Sequence, residues 1–304
     1  ARELKPKDFL YGQDPRVMTA LDLERSFLDG DPAPGQAETA VFIQCVGSRN
    51  AERPYCSKVC CTASIKNALK LKRQNPGMKV FVLYRDMRPY GLREDLYREA
   101  REGGVSFLRY DASLPLEVSK AGERLRVAFT DRVLRSQMEV FPDLLVLATA
   151  TVPSPVADLA QQYKVPLNED GFFVEAHVKL RPVDFATDGV FVCGLAHGPK
   201  PLDESIAQAQ AAAARAVTLL SSKEMPVSGT VAWVDQAACS GCGVCVASCP
   251  YGAPRFTEEA GGTAQIQSSR CKGCGLCVSS CRSGALCLKG FETSQIMQMI
   301  QGAV

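Results

Sequence analysis

Apolar positions along the chain follow two different periods. Val41 to Val46 form a short apolar run of strand type, and from Ser57 onward Ile65, Ala68, Leu69 and Leu71 recur at helical intervals. This pattern predicts a strand, a turn and a helix, with Cys45 ending the strand and Cys60 and Cys61 in the first turns of the helix. Downstream, the same periods predict strands at KVFVLYRD and VSFLRY, a helix from Leu92 to Glu102, a hairpin around LRVAFTDRV and an apolar strand at LLVLATA. Strands alternating with helices define a doubly wound α/β fold. A later Ala-rich stretch, roughly Asp203 to Ser221, reads as another helix, and its composition alone suits ordinary packing.

Length and charge narrow the class. The 304 residues suffice for about two domains, and 35 basic against 33 acidic residues leave a net charge of +2, which argues against a nucleic-acid binder. With 46% hydrophobic and 22% charged residues, disorder and collagen-like repeats are excluded. No apolar run approaches the roughly 18 residues a bilayer span needs, and ARELKPKDFL lacks a signal-peptide core. A soluble, cytoplasmic protein is expected.

The unusual component is cysteine, present 14 times. Eight lie between Cys239 and Cys281 in CSGCGVCVASCP and CKGCGLCVSSC, each of the form C-x2-C-x2-C-x3-C. Short spacing of this kind suits metal ligation in a reducing compartment better than disulfides. In this pattern three thiolates of a run surround one 4Fe-4S cluster and the fourth reaches the other cluster. The expected ligand sets are therefore Cys239, Cys242, Cys245 and Cys281, and Cys271, Cys274, Cys277 and Cys249. Gly241, Gly243, Gly273 and Gly275 would supply side-chain-free backbone around the sulfurs. A zinc ribbon needs only four ligands per site and tolerates many spacings, so two copies of the three-plus-one pattern favour iron–sulfur clusters. Arg282 stands where the first run has Pro250, which changes a turn but no ligand.

A second group, Cys45, Cys56, Cys60 and Cys61, occupies the strand-to-helix turn where a dinucleotide-binding unit would place G-x-G-x-x-G. Spacing alone leaves a cluster, a zinc site and a redox dithiol open. An anionic cluster would suit the helix N-terminus. From Cys45 to Arg101 thirteen Lys/Arg face five Asp/Glu, which would raise a cluster's potential or receive an acidic partner, although a solvated helix face accounts for most of these charges.

Taken together, QCVGSR followed by YCSKVCC, then DGVFVCGLAHGPK before an Ala-rich helix, and the C-terminal double run resemble the A subunit of heterodisulfide reductase and its bacterial relatives. The resemblance runs over nearly the whole chain. It implies a thioredoxin-reductase-like doubly wound domain with an incomplete flavin half, followed by a ferredoxin-like α+β domain with two clusters. It also implies that Cys45, Cys56, Cys60 and Cys61 bind a third 4Fe-4S cluster. ATDGVFVCGLAHGPK resembles the returning strand and turn that contact the flavin, which points to Gly194, Leu195, His197, Gly198 and Lys200, with Leu195 where the reductases have an acidic residue. The helix after it would aim its amides at the flavin's pyrimidine edge, and Lys66 matches a lysine that approaches flavin N5.

No G-x-G-x-x-G occurs, so the half of the flavin domain that holds the pyrophosphate is expected elsewhere, on another chain or in a longer polypeptide. The expected organisation is a connecting arm over 1–37, a cluster-bearing α/β domain over 38–152, the returning half of the FAD domain over 153–225, the ferredoxin domain over 226–290 and a tail over 291–304. The implied function is that of a flavin and iron–sulfur electron-transfer component in an anaerobic, electron-bifurcating oxidoreductase complex. Its partners would be the chain with the other FAD half and further iron–sulfur, hydrogenase- or dehydrogenase-linked carriers. The alternatives are a relay without functional flavin and a component of a quinone-linked complex. Cys193 and Cys287 are expected to be buried, unliganded thiols, and the absence of a Ser/His/Asp or paired-carboxylate set argues against hydrolysis.

Overall fold

A computed structural model describes residues 1–224, 229–256 and 261–303. The chain divides into two compact units: residues 1–157, 167–175 and 192–212 in the first, and 158–166, 176–191 and 213–304 in the second.

The first unit is built on a five-stranded parallel sheet. Its strands are β1 (Val17–Thr19), β2 (Thr39–Val46), β3 (Lys79–Tyr84), β4 (Val105–Arg109) and, after a three-stranded antiparallel sheet of β5 (Glu117–Ala121), β6 (Arg124–Thr130) and β7 (Gln137–Val140), β8 (Leu144–Thr149). Their order is β1-β8-β2-β3-β4. Alternation along the strands explains both layers. Ala40, Phe42, Leu144 and Val146 pack with Leu23, Ile65, Ala68, Leu71 and Ala100 from helices α1 (Ala20–Leu28), α2 (Cys60–Gln74) and α3 (Glu94–Glu102). Val41, Ile43, Leu145 and Leu147 point the other way, onto Leu125, Val127 and Phe129 of β6. A strand covered on both faces must be apolar throughout, which is why β2 reads as a continuous run rather than an alternating one.

Several expected boundaries shift. Residues 1–37 are not a separate arm: β1 pairs in parallel with β8, and Leu23 of α1 is fully buried under the sheet. Thr19 caps α1 by accepting from the Asp22 amide, and the Asp22 carboxylate returns the contact to the Thr19 amide. The helix expected from Leu92 starts at Glu94, because Gly91 is left-handed (φ 65°) and Gly91–Arg93 form a tighter 3-10 turn. Residues 153–225 do not form one body but are divided between the units. In place of the expected returning strand, Phe191 makes a single bridge to Asp184, since a strand needs a neighbour along its length. The boundary expected between 225 and 226 lies outside the described residues.

In the second unit two short hairpin-like pairs hold the cysteine runs. β9 (Ala232–Val234) pairs with β12 (Leu286–Leu288), and β10 (Pro254–Phe256) pairs with β11 (Ala264–Ile266). The short helices Val244–Ser248 and Leu276–Ser279 each begin at a left-handed glycine, Gly243 and Gly275. The expected tail over 291–304 contains a helix, Thr293–Gly302, started by a capping box between Glu292 and Gln295. Glu292 also accepts from the Trp233 indole at 3.0 Å, which anchors that helix start.

Candidate functional site

The two cysteine runs wrap two separate cavities. One is lined by Cys239, Cys242, Cys245 and Cys281 together with Val234, Phe256 and Leu286. The other is lined by Cys249, Cys271, Cys274 and Cys277 with Tyr251, Ile266 and Leu276. Each cavity therefore takes three cysteines from one run and the fourth from the other. Among the described residues no three His, Cys, Asp or Glu side chains converge as a single ion would require. Thiolates around one zinc stand roughly 3.8 Å apart, given Zn–S bonds near 2.3 Å. Four thiols spread around one mainly apolar hollow fit a four-iron cube instead.

Backbone shape makes room for this. A Cβ on Gly241 would lie 2.7 Å from the Gly262 carbonyl oxygen, and one on Gly273 would lie 2.5 Å from that of Thr230. Both positions also have positive φ, so glycine is required twice over. The Ala232 amide donates to Cys271 Sγ at 3.3 Å, the kind of contact that stabilises a thiolate. Burial, and then the neighbouring Cys249, Cys271 and Cys274 thiols, push Cys277 up to about 11. The Val244 amide and Ser240 hydroxyl hold Cys242 below the usual thiol range. Protons must leave such a site as a metal cluster enters.

In the first unit the upstream cysteines are positioned by a different device. Pairing of β2 with β8 breaks register between Ile43 and Val46, and Cys45 takes a left-handed φ of 62° at the break. Cys60 and Cys61 open α2, whose first turn has no side-chain cap. The Cys60 thiol is pushed well above its ordinary value by its contact with Cys61 and by burial, with Cys45 and Cys56 adding to the effect. Cys61 is brought down to about 7, chiefly by the hydrogen bond from Cys60, with Arg88 and Arg49 also contributing.

An arginine girdle faces this group. Asp86 holds Arg49 at 2.7 Å, Arg109 at 3.0 Å and Arg88 at 3.5 Å. Arg49 also lies beside Cys45, yet its Nη1 is buried without a hydrogen-bond partner among the described residues. A guanidinium beside Cys45 and an uncapped helix start at Cys60 and Cys61 fit an anionic group. Much of the remaining charge in Cys45 to Arg101 lies on exposed positions such as Lys70, Arg73 and Arg98.

Flavin candidates fall in two places. Leu195 borders a cavity shared with Cys60, Ala148, Thr149, Thr151 and Glu24. Lys66 is exposed and paired with Glu24 at 2.8 Å, so it reaches that cavity's rim only through its partner. The rest of the turn is bonded to itself. His197 Nε2 meets Glu175 at 2.6 Å, while its Nδ1 lies 3.0 Å from Lys200 Nζ and 2.9 Å from Gln208 Nε2. These partners assign the neutral tautomer with hydrogen on Nε2. Lys200, only 8% exposed, also donates to the Gly194 carbonyl, and the Gly194 amide donates to Gln208. Gly198 has φ 154° and open space around it. The start of helix α4 (Leu202–Leu220) is tied to the preceding region by Arg93–Asp203 and Tyr90–Glu204 contacts. Glu175, Gln208 and Glu24 are not legible in sequence as site residues: each works through a partner distant along the chain. Cys193 and Cys287, expected to be buried, are half-exposed because one lies on an irregular extended segment and the other on a two-stranded sheet.

Burial pushes Glu175 up, but its own backbone amide, His197 and Lys200 outweigh this and leave it below the ordinary carboxylate value. A depressed carboxylate stabilises the fold above its unfolded pKa and loses that contribution as pH falls through the folded one. Hydrogen exchange at the Gly194 and His197 amides should therefore stay slow at neutral pH and quicken in that acid window. Glu175→Gln should remove this pH dependence.

Comparison with known proteins agrees with the thiol geometry. Residues 238–285 match the 4Fe-4S dicluster domain, which makes this an iron–sulfur protein. The chain is 38% identical to the second A-type iron–sulfur subunit of CoB–CoM heterodisulfide reductase from Methanopyrus kandleri, over 84% of this chain and 41% of that one. It is 37% identical to the A-type iron–sulfur subunit of the same reductase from Methanocaldococcus jannaschii, over 98% of this chain and 48% of that one. The chain belongs to the family of heterodisulfide reductase A subunits and spans about half the length of the curated relatives it matches. Among solved structures, the copper complex of an HOCl-induced flavoprotein disulfide reductase from Escherichia coli covers 77% of this chain and 46% of its own, at 13% identity and a TM-score of 0.47. Among the described residues no helix is long and apolar enough to cross a membrane.

Proposed function

We propose that this chain is the electron-distributing part of a heterodisulfide-reductase-like, electron-bifurcating oxidoreductase that works in the cytoplasm. It would bind three 4Fe-4S clusters and share FAD with a phosphate-holding half on another chain or another part of the same polypeptide. The observation that carries this reading is the cross-sharing of cysteines between the two thiol cavities. When bound, the flavin supplies the exchange between two-electron and one-electron chemistry, and the clusters pass single electrons. The chain's residues would do the positioning: Cys239, Cys242, Cys245 and Cys281 hold one cluster, Cys249, Cys271, Cys274 and Cys277 the second, and Cys45, Cys56, Cys60 and Cys61 the third. Arg49 would place a fixed positive charge beside the third. Its partners would be the remaining components of such a complex and iron–sulfur carriers that receive single electrons.

The internally bonded His197 turn favours one alternative, a relay without functional flavin, because Gly194, His197 and Lys200 already satisfy one another. Flavin binding separates the two readings. The isolated chain should bind FAD weakly or not at all, since the pyrophosphate supplies much of the charge-assisted binding. Added phosphate-binding half should restore one FAD per assembly. In that assembly Lys66→Ala should lower the flavin potential with the iron count unchanged, because a cation near the ring favours the reduced anion. A complex lacking flavin after gentle purification would leave only the relay, and tight FAD on the isolated chain would defeat the half-site argument.

A further inference from the structure

Three uncharged polar side chains are sealed between α2 and the sheet without partners. Gln44 is 1% exposed, and Ser64 and Asn67 are 0% exposed. Among the described residues, both amide atoms of Gln44, the Ser64 hydroxyl and both amide atoms of Asn67 make no hydrogen bond. Their placement is specific. Cys60, Ser64 and Asn67 follow one another at helical spacing along one buried stripe of α2, with Ser64 a single turn behind Cys60. Gln44 shares the strand face of Ala40 and Phe42, which packs against α2, and it immediately precedes Cys45. In a strand–turn–helix unit the end of the strand lies beside the start of the helix, so Gln44 and Ser64 lie toward the Cys60 end of the layer and Asn67 about 4.5 Å further along the helix.

A polar set of this kind destabilises the fold unless something completes its hydrogen bonds. Two amides and a hydroxyl offer donors and acceptors together, which is what an internal water requires, and none of them titrates. We propose that Gln44, Ser64 and Asn67 form an internal water site behind Cys60 whose outward hydrogen bond reaches the sulfur of the Cys45–Cys56–Cys60–Cys61 cluster. This rests on the reading of those four cysteines as cluster ligands. The consequence is redox tuning: a hydrogen bond to a cluster sulfur favours the reduced, more negative state and raises its potential. The three residues are positioning residues and touch no reacting atom.

The test uses the whole protein loaded anaerobically, with Gln44→Leu/Asn67→Leu as the main variant and Ser64→Ala as a milder second. Each should keep about twelve irons. In the main variant the upstream cluster's oxidised-to-reduced ratio at fixed potential should rise about tenfold, a fall of roughly 59 mV for a one-electron couple, with a smaller shift in the same direction for Ser64→Ala. In unsubstituted protein exchanged into D2O, the reduced upstream cluster should show an exchangeable deuteron coupling that weakens in both variants. Apolar replacement that raises thermal stability and leaves midpoint and coupling unchanged would overturn the proposal, because the trio would then be an uncompensated packing defect. If the main variant does not fold, Ser64→Ala and the unsubstituted coupling decide. An iron count of eight in the unsubstituted protein would defeat the cluster reading and this inference with it, whereas an unmoved midpoint at twelve irons defeats the inference alone.

Discussion

Purified without oxygen, the protein should contain about twelve irons and twelve acid-labile sulfides, falling to about eight of each in Cys60→Ser/Cys61→Ser. The expectation follows from twelve cysteines gathered in three groups of four. Its weight falls on the upstream group, where Cys60 and Cys61 are both buried at the start of α2. Their protons must leave as an iron cluster enters. Zinc in place of iron would preserve the fold there and abolish electron transfer through it. Eight irons before any substitution would remove the upstream site, and iron and sulfide assays with low-temperature spin-resonance spectra separate these outcomes.

The second large effect is a crossed loss. Cys249→Ala lies in the first run but should abolish the cluster whose other ligands are Cys271, Cys274 and Cys277, because its side chain borders that cavity. Cys281→Ala, in the second run, should abolish the cluster of Cys239, Cys242 and Cys245. Each variant should keep the other ferredoxin-type cluster, so each loses up to four irons and one of two distinguishable redox transitions. Loss within the same run as the substitution would mean that each run closes on its own cluster.

Much of this site can be read from sequence because its chemistry is written in short-range spacing. The two C-x2-C-x2-C-x3-C runs state which thiol belongs to which cavity. Likewise β2 and α2 are legible, since an apolar run covered on both faces and a helix with one buried stripe leave plain periods. What escapes is whatever depends on a distant neighbour. β1 has three residues, too few to show a period, and its place in the sheet comes from β8 more than a hundred residues later. Lys66 reads as a free cation in sequence, but the fold brings Glu24 to it. The Thr293–Gly302 helix leaves Ile296, Met297, Met299 and Ile300 exposed, so its apolar residues offer no buried face to recognise. Glu175 lies in an irregular segment, and nothing near it in sequence announces a histidine partner.

Six of the cysteines proposed as ligands belong to the small core of the second unit. Cys245, Cys271 and Cys277 are buried there beside Val231, Ala232, Ala253, Ala264 and Leu286, and Cys239, Cys249 and Cys281 pack against them. With clusters bound as proposed, cluster insertion and folding of this core would be coupled. Because each cavity borrows a thiol from the opposite run, neither half can mature while the other waits. Newly made chains short of iron or sulfide would remain open at this end and exposed to proteases. The lifetime of the protein in a cell would then follow the supply of inorganic sulfur and iron, with the unfinished copies removed before they can misdirect electrons.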